Sequence, residues 1–423
     1  MNRSNYHVMC RLTNLFILVT LTALAPAFAQ SSNIAQSEVR LEPVPLQPPF
    51  HDQFGTAVAA SANGNTLAVS GITNDVGSVS EAGAIFIYDR VQGSWAQTAR
   101  LTASDGQEDN SLGVTLAISE DGNTVVAGPI THNLTFHNEG AVYVFRRDNG
   151  VWMQEAELRS PTPSNQGSFG FWGVAISGNT IAAGDIGGPT NQFISGVDIF
   201  TRVNGNWQLS SVIELPDDFD FSPSGVALSD QTLVVVNTAG NGGTGVAYIL
   251  GLVSGTWMLQ AKLAPPDLPF GAEFGISSDV SGDSVVIGAP GAQSFSTFSG
   301  AAYVFAKSNG QWVQTSKLTG ADGVTGDNFG ESVSIQGGTI AAGAFNHGTA
   351  AGLGAGSAYL FHLRDHQWTQ FAEVSGSDGA GAGGFGASVV FRNGTLFVGA
   401  PLQHPQPNNA LYPEGEAYIY NVN

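Results

Sequence analysis

The chain has one cysteine in 423 residues, Cys10, close to its start. Beyond it there is no disulfide, thiolate nucleophile or cysteine metal site to consider. Charge is also scarce. Only 11% of residues are Asp, Glu, Lys or Arg, and 14 basic residues face 34 acidic ones. A formal net charge of −20 argues against nucleic acid and anionic membrane surfaces as partners. Apolar runs long enough to cross a bilayer are missing too. The uncharged run from Leu15 to Ala25 is too short to span comfortably. It follows Arg3 and Arg11 and precedes Ala27-Phe28-Ala29, so residues 1–29 read as a secretory signal peptide cut after Ala29. No cysteine follows that point to carry a lipid anchor. The expected location is secreted or extracellular, or else periplasmic or on the outer surface, with no transmembrane span in the mature chain.

Glycine is abundant, at 55 residues, and it sits at fixed offsets among Val, Ile, Tyr, Phe and Trp. That pattern means many short strands joined by tight turns. The tryptophans reveal a period: Trp95, Trp152, Trp207, Trp257, Trp312 and Trp368 recur every 50 to 57 residues. A second phrase precedes each, as in Gly140-Ala141-Val142-Tyr143-Val144-Phe145 and Gly300-Ala301-Ala302-Tyr303-Val304-Phe305. It occurs a seventh time at Gly415-Glu416-Ala417-Tyr418-Ile419-Tyr420. A third phrase opens the units: Phe54-Gly55, Leu112-Gly113, Phe169-Gly170, Phe274-Gly275, Phe329-Gly330 and Phe385-Gly386, with Ser224-Gly225 as a degenerate start to the fourth.

Each unit reads as four strands of five or six residues. Strand A follows Phe-Gly, B ends in Gly-Ala-Pro or a variant, C carries the Gly-Ala-x-Tyr phrase and D carries the tryptophan. Asn-Gly and Asp-Gly pairs at Asn63-Gly64, Asp121-Gly122, Asn149-Gly150 and Asn309-Gly310 supply tight hairpins. Strands A and B are apolar on both faces, which predicts burial between neighbouring sheets. The expected fold is all-β: a seven-bladed β-propeller with four antiparallel strands per blade. The seventh unit has no tryptophan strand, whereas Val39-Arg40-Leu41 near the N-terminus resembles the end of one. The ring should therefore close by this N-terminal strand completing the last blade, which pairs an exposed sheet edge. The domain plan is residues 1–29 as signal, 30–36 as a flexible mature N-terminus and 37–423 as propeller.

These phrases resemble FG-GAP repeats, the units of the integrin α-subunit propeller and of many secreted bacterial proteins. Gly288-Ala289-Pro290 and Gly399-Ala400-Pro401 keep the Gly-Ala-Pro element, and Gly343-Ala344-Phe345 varies it. The resemblance implies calcium in Asp-rich loops between strands A and B. Turns such as Ala62-Asn63-Gly64-Asn65 and Ser281-Gly282-Asp283 lack the alternating carboxylates such loops need. No cofactor is assigned, and a divalent cation elsewhere stays open.

The D–A and B–C loops share one face of a propeller and are here the long, variable ones, which makes them the candidate binding face. The D–A loops carry Asp52, Asp105, Asp322, Asp327 and Asp378; the B–C loops carry His132, His347 and His404, with the aromatics Phe136 and Tyr412. Together they suggest an acidic, histidine-bearing rim around the channel that could take a cation or a polar ligand. The plainer reading is Asx turns that bond local backbone. No Gly-x-Ser-x-Gly elbow, His-Glu-x-x-His pair or phosphate-binding glycine loop is present. The expected function is a non-catalytic binding or adhesion module, a monomer recognising an extracellular protein or glycan. The alternative is a polysaccharide lyase or hydrolase that uses the His/Asp rim near the axis.

Overall fold

The computed structural model describes residue 34 and residues 37–44, 52–187, 194–215, 224–293, 297–378, 381–403, 405–406 and 409–422. The signal reading of residues 1–29 falls outside that set, as does all of 30–36 except Ile34. Seven sheets each contain four antiparallel strands. Blade 1 runs Phe54–Ala60, Thr66–Gly71, Ala84–Val91 and Ser94–Leu101, and the later blades repeat that meander. Blade 7 takes its outermost strand from the other end of the chain: Val39, Arg40 and Leu41 pair with Ile419, Tyr418 and Ala417. Closure is thus by the N-terminal strand, as the repeat pattern requires.

Local chemistry sets the hairpins. Asn149, Asn204 and Asn309 have φ near +50° and are each followed by a glycine of positive φ, so the C–D turns of blades 2, 3 and 5 are Asn-Gly hairpins. The A–B turns of blades 1 and 2 work differently. Asn63 Oδ1 accepts from Asn65 N (2.9 Å) and Ser61 Oγ (2.8 Å), and Asp121 Oδ1 does the same for Asn123 N and Ser119 Oγ. These are Asx turns, with their acceptors already engaged by local donors.

Burial departs from expectation in one respect. Strand B is buried along almost its whole length, as in Thr66–Gly71 and Thr395–Ala400, and so is the first part of strand C. Strand A is only half-buried in several blades, as at Thr115–Ile118. The reason is position: the A strands line an axial cavity of about 340 Å³ and have an open inner side. Strands C and D are mostly eight residues long rather than five or six, because each blade widens away from the axis. Strand D alternates exposed and half-buried positions, as an outer edge should.

The core lies between blades rather than within them. One cluster joins Val234, Val236 and Ile249 of blade 4 to Val285, Ile287 and Tyr303 of blade 5. Another joins Phe397 and Ile419 of blade 7 to Phe54, Val69 and Phe86 of blade 1 across the closure. Ile34 is buried against residues of blades 6 and 7.

The Phe-Gly phrase is the joint. Phe329 N donates to Ser299 O of the preceding blade (2.9 Å), while the Phe329 ring packs edge-on to Phe361 and tilted against Tyr359 of its own blade. Gly330 then presses on blade 5: a Cβ there would stand 2.4 Å from Ala301 O, and φ is +91°. In return a Cβ on Gly288 would stand 1.8 Å from Gly330 O. Gly55 and Gly399 repeat the arrangement at the closure. Only glycine fits both sides of this contact.

Gly330→Ala is therefore expected to cost about 3 kcal/mol, from a disfavoured φ plus a backbone clash. Gly310→Ala, at an open C–D turn where a Cβ meets nothing within 4 Å, should cost only the φ penalty of about 1–2 kcal/mol. Urea midpoints of the two variants measure the difference.

Candidate functional site

On the D–A and B–C face, one structural position recurs from blade to blade. A tyrosine on strand C is buried and turns its hydroxyl to an aspartate in the preceding D–A loop. Tyr143 donates to Asp105 (2.8 Å), Tyr303 to Asp267 (3.2 Å), Tyr359 to Asp322 (2.9 Å) and Tyr418 to Asp378 (2.9 Å). A buried hydroxyl needs a partner, so these aspartates first serve the fold. Burial, with the neighbouring carboxylates, raises the pKa of each of these phenols.

The residue paired with the tyrosine on strand D differs between blades. Lys262 lies opposite Tyr248, Lys317 opposite Tyr303 and Arg40 opposite Tyr418; in blade 1, Arg100 lies opposite Phe86. These cations work locally. Lys317 Nζ reaches Asp267 (2.6 Å), Arg40 pairs with Asp378, and Arg100 bonds Asn74 and Asp75 O. In blades 2 and 6 the same position is Glu157 and Glu373.

Those two blades also carry the histidines. In blade 6, His347 Nδ1 is 2.9 Å from Asp327, and Nε2 is 3.6 Å from Asp322 and 3.7 Å from Glu373. In blade 2, His132 Nδ1 is 2.8 Å from the Asn110 amide, and Nε2 is 3.4 Å from Asp105 and 3.2 Å from the Tyr143 hydroxyl. Asp327 and Asn110 each stand two residues before the Phe-Gly or Leu-Gly phrase. Both histidine side chains are buried. Asp322 and Asp327 hold the His347 imidazole up at about 9 against the cost of burial. The same contact with His347 pulls Asp322 down to about 2, while burial and Asp322 push Glu373 up.

The sequence candidates thus separate. Asp105 and His132 meet in blade 2, and Asp322, Asp327 and His347 in blade 6. Asp378 joins Arg40 and Tyr418 in an ion pair. Asp52 is buried beside Arg100, whose pKa burial lowers and Asp52 raises. Phe136 is 38% exposed on a loop anchored by Glu139, which accepts from its backbone N–H (2.6 Å). His404 and the side chain of Tyr412 fall outside the described residues. The expected rim around the channel is instead two separate clusters set beside strands C and D. The axial cavity is lined by strand-A residues such as Val58, Ser277, Asp279 and Arg392, and none of the candidate residues is among them.

Sequence reasoning missed Glu157, Glu373, Asn110 and the tyrosines. Aligning the repeats on the Tyr-to-strand-D pairing would have exposed the charge reversal at Glu157 and Glu373. It also missed blade 3, where Asp198 replaces the tyrosine. Asp198 is 1% exposed and neither of its oxygens has a hydrogen-bond partner; Asp185 beside it bonds Ser160 Oγ (2.7 Å). Burial pushes Asp185 to about 6, and burial with Asp185 nearby pushes Asp198 to about 8.

The fold and this recurring position define a seven-bladed β-propeller with its variable chemistry on one loop face. Three of its segments, residues 95–145, 257–305 and 312–361, match the family profile described as FG-GAP repeat. No curated protein matches the chain in sequence. Among solved structures, the WD40 repeats of RRP9 superpose with a TM-score of 0.57 at 11% identity, over 92% of this chain and 98% of that one. That likeness concerns fold alone. Sqt1 of Saccharomyces cerevisiae, at 14% identity over 83% of this chain and 80% of its own, has a TM-score of 0.44, too loose to argue from.

Two outcomes follow from the titrating groups. The His347 pKa stands above its ordinary 6.5, so its contribution to stability is whole below about pH 6.5 and drains away as pH rises through about 9. His347→Gln should flatten that part of the stability profile, removing a slope on the order of 2 kcal/mol, as read from urea midpoints at about pH 6 and pH 9.5. Asp198 also has a raised pKa, so as pH climbs past about 8 the fold must hold an unpaired charge. Asp198→Asn should therefore raise the melting temperature relative to wild type by more at about pH 9 than at about pH 5.

Proposed function

We propose that the protein is exported by its N-terminal leader and acts outside the cytoplasm as a non-catalytic binding module, engaging a protein or glycan through the D–A and B–C loop face. The carrying observation is where apolar surface is left uncovered. Leu353 and Phe270, 89% and 85% exposed, are the most exposed large hydrophobics among the described residues, and both lie on loops of this face. Phe136 and Phe298 add to it from two further B–C loops. Uncovered aromatic and aliphatic side chains on variable loops are what a partner surface needs, while the interlocked blades hold the loops in place. The two buried histidines stand away from the axial cavity, which favours binding over cleavage at the axis. Among the described residues no helix is long and apolar enough to cross a membrane.

A glycan array run beside a degradation assay on acidic and neutral polysaccharides tests this. Binding without turnover is expected. The double variant Phe270→Ala/Leu353→Ala should then weaken binding about tenfold or more, while its melting temperature stays close to wild type because both side chains are exposed. Polysaccharide turnover, or binding untouched by the double change, would sink the reading.

A further inference from the structure

We infer that the clusters Asp322–His347–Glu373 and Asp105–His132–Glu157 are two divalent transition-metal sites, with Zn²⁺ the ion their donor set fits. In each cluster, one atom from every residue lies within 4.8 Å of the others. The spacing is the first argument. His347 Nε2 stands 3.6 and 3.7 Å from the carboxylate oxygens, and His132 Nε2 stands 3.4 Å from Asp105. These separations exceed hydrogen-bond lengths of about 2.7–3.2 Å. They lie close to the edge of a tetrahedron with metal–ligand bonds of about 2.0–2.2 Å, which is about 3.3–3.6 Å.

The second argument is the histidine's other nitrogen. His347 has only 7% of its side chain exposed, and its Nδ1 is held at 2.9 Å by Asp327. A carboxylate on Nδ1 fixes the ring and aims Nε2 at the metal, the usual outer support of a metal-binding histidine. In blade 2, Asn110 takes that place, 1% exposed and with its Oδ1 unpartnered. Turning the amide over lets Oδ1 accept from Nδ1–H and leaves the Nε2 lone pair facing Asp105 and Glu157.

The third argument comes from the sibling blades. Where blades 4, 5 and 7 place Lys262, Lys317 and Arg40 opposite the buried tyrosine, blades 2 and 6 place a glutamate. The cation those blades build into strand D is thus replaced by a further carboxylate beside an imidazole nitrogen. Imidazole with two carboxylates suits zinc, whereas calcium takes oxygen ligands alone. The fourth position remains for water or for a group on a partner. The sites are unequal: Arg159 Nε bonds Glu157 at 2.9 Å and competes with a metal there. Blade 6 should therefore bind more tightly.

The inference stands apart from the identity of any partner and is read from metal binding directly. Chelator-stripped full chain is titrated with Zn²⁺ by equilibrium dialysis and metal analysis, with Ca²⁺ as a parallel arm. The expected result is one ion in each of the two clusters. Glu373→Lys should abolish the tighter site and Glu157→Lys the weaker, while both folds persist, since each change copies what Lys317 does in blade 5. Should a lysine variant fail to fold, His347→Gln and His132→Gln answer the same question. No Zn²⁺ uptake by wild type, stoichiometry unchanged in the folded variants, or uptake of Ca²⁺ in place of Zn²⁺ would each overturn the assignment.

Discussion

Everything in this ring depends on the approach of two glycines across each intact blade joint. Gly330 bears on the backbone of Ala301, and Gly288 bears on the carbonyl of Gly330, at distances no side chain would permit. That contact brings the sheets close enough for Phe329, Val333 and Tyr359 of one blade to pack against Val286 and Val304 of the preceding one. Without it the apolar faces would be held apart, and dispersion contacts fall off steeply with even a small gap. The spacing of blades around the axis is therefore a backbone property first and a hydrophobic one second.

The same joint positions the chemistry. Because Phe-Gly sits at the start of strand A, the residue two places earlier is carried to the B–C loop of the same blade. That residue is Asp327 in blade 6 and Asn110 in blade 2, and each meets the histidine four places after the interlocking glycine position of strand B. The buried tyrosine brings in the D–A aspartate, and cross-strand pairing brings in the strand-D residue. Four elements distant in the chain so converge on one spot in blades 2, 5, 6 and 7, and the blades use that spot differently. Blades 5 and 7 close it with an ion pair, blades 2 and 6 place a histidine among carboxylates, and blade 3 buries Asp198 without a hydrogen-bond partner beside Asp185, which bonds Ser160.

Most of the architecture was legible in the residues. The tryptophan period, the Phe-Gly starts and the Asn-Gly turns depend on local backbone preference and repeat, which a linear reading captures. Strand A was misjudged as fully buried because apolar residues such as Leu116 and Ile118, which pack against the core between blades 1 and 2, also border the axial cavity. Composition does not record that second, open side. The site was half legible. The aspartates and histidines were visible as loop residues, but Glu157 and Glu373 look like ordinary exposed positions on an alternating edge strand.

Repeat number, strand order and ring closure were set by the sequence alone, since each follows from a pattern that recurs at fixed spacing and from one strand missing at one end and present at the other. Tertiary structure decided which charges meet. Asp322, His347 and Glu373 lie on three separate elements, and only the twist and stacking of the blades place their oxygens and nitrogen within 4.8 Å. Electrostatic energy depends on distance through space, and distance along the chain carries no record of it.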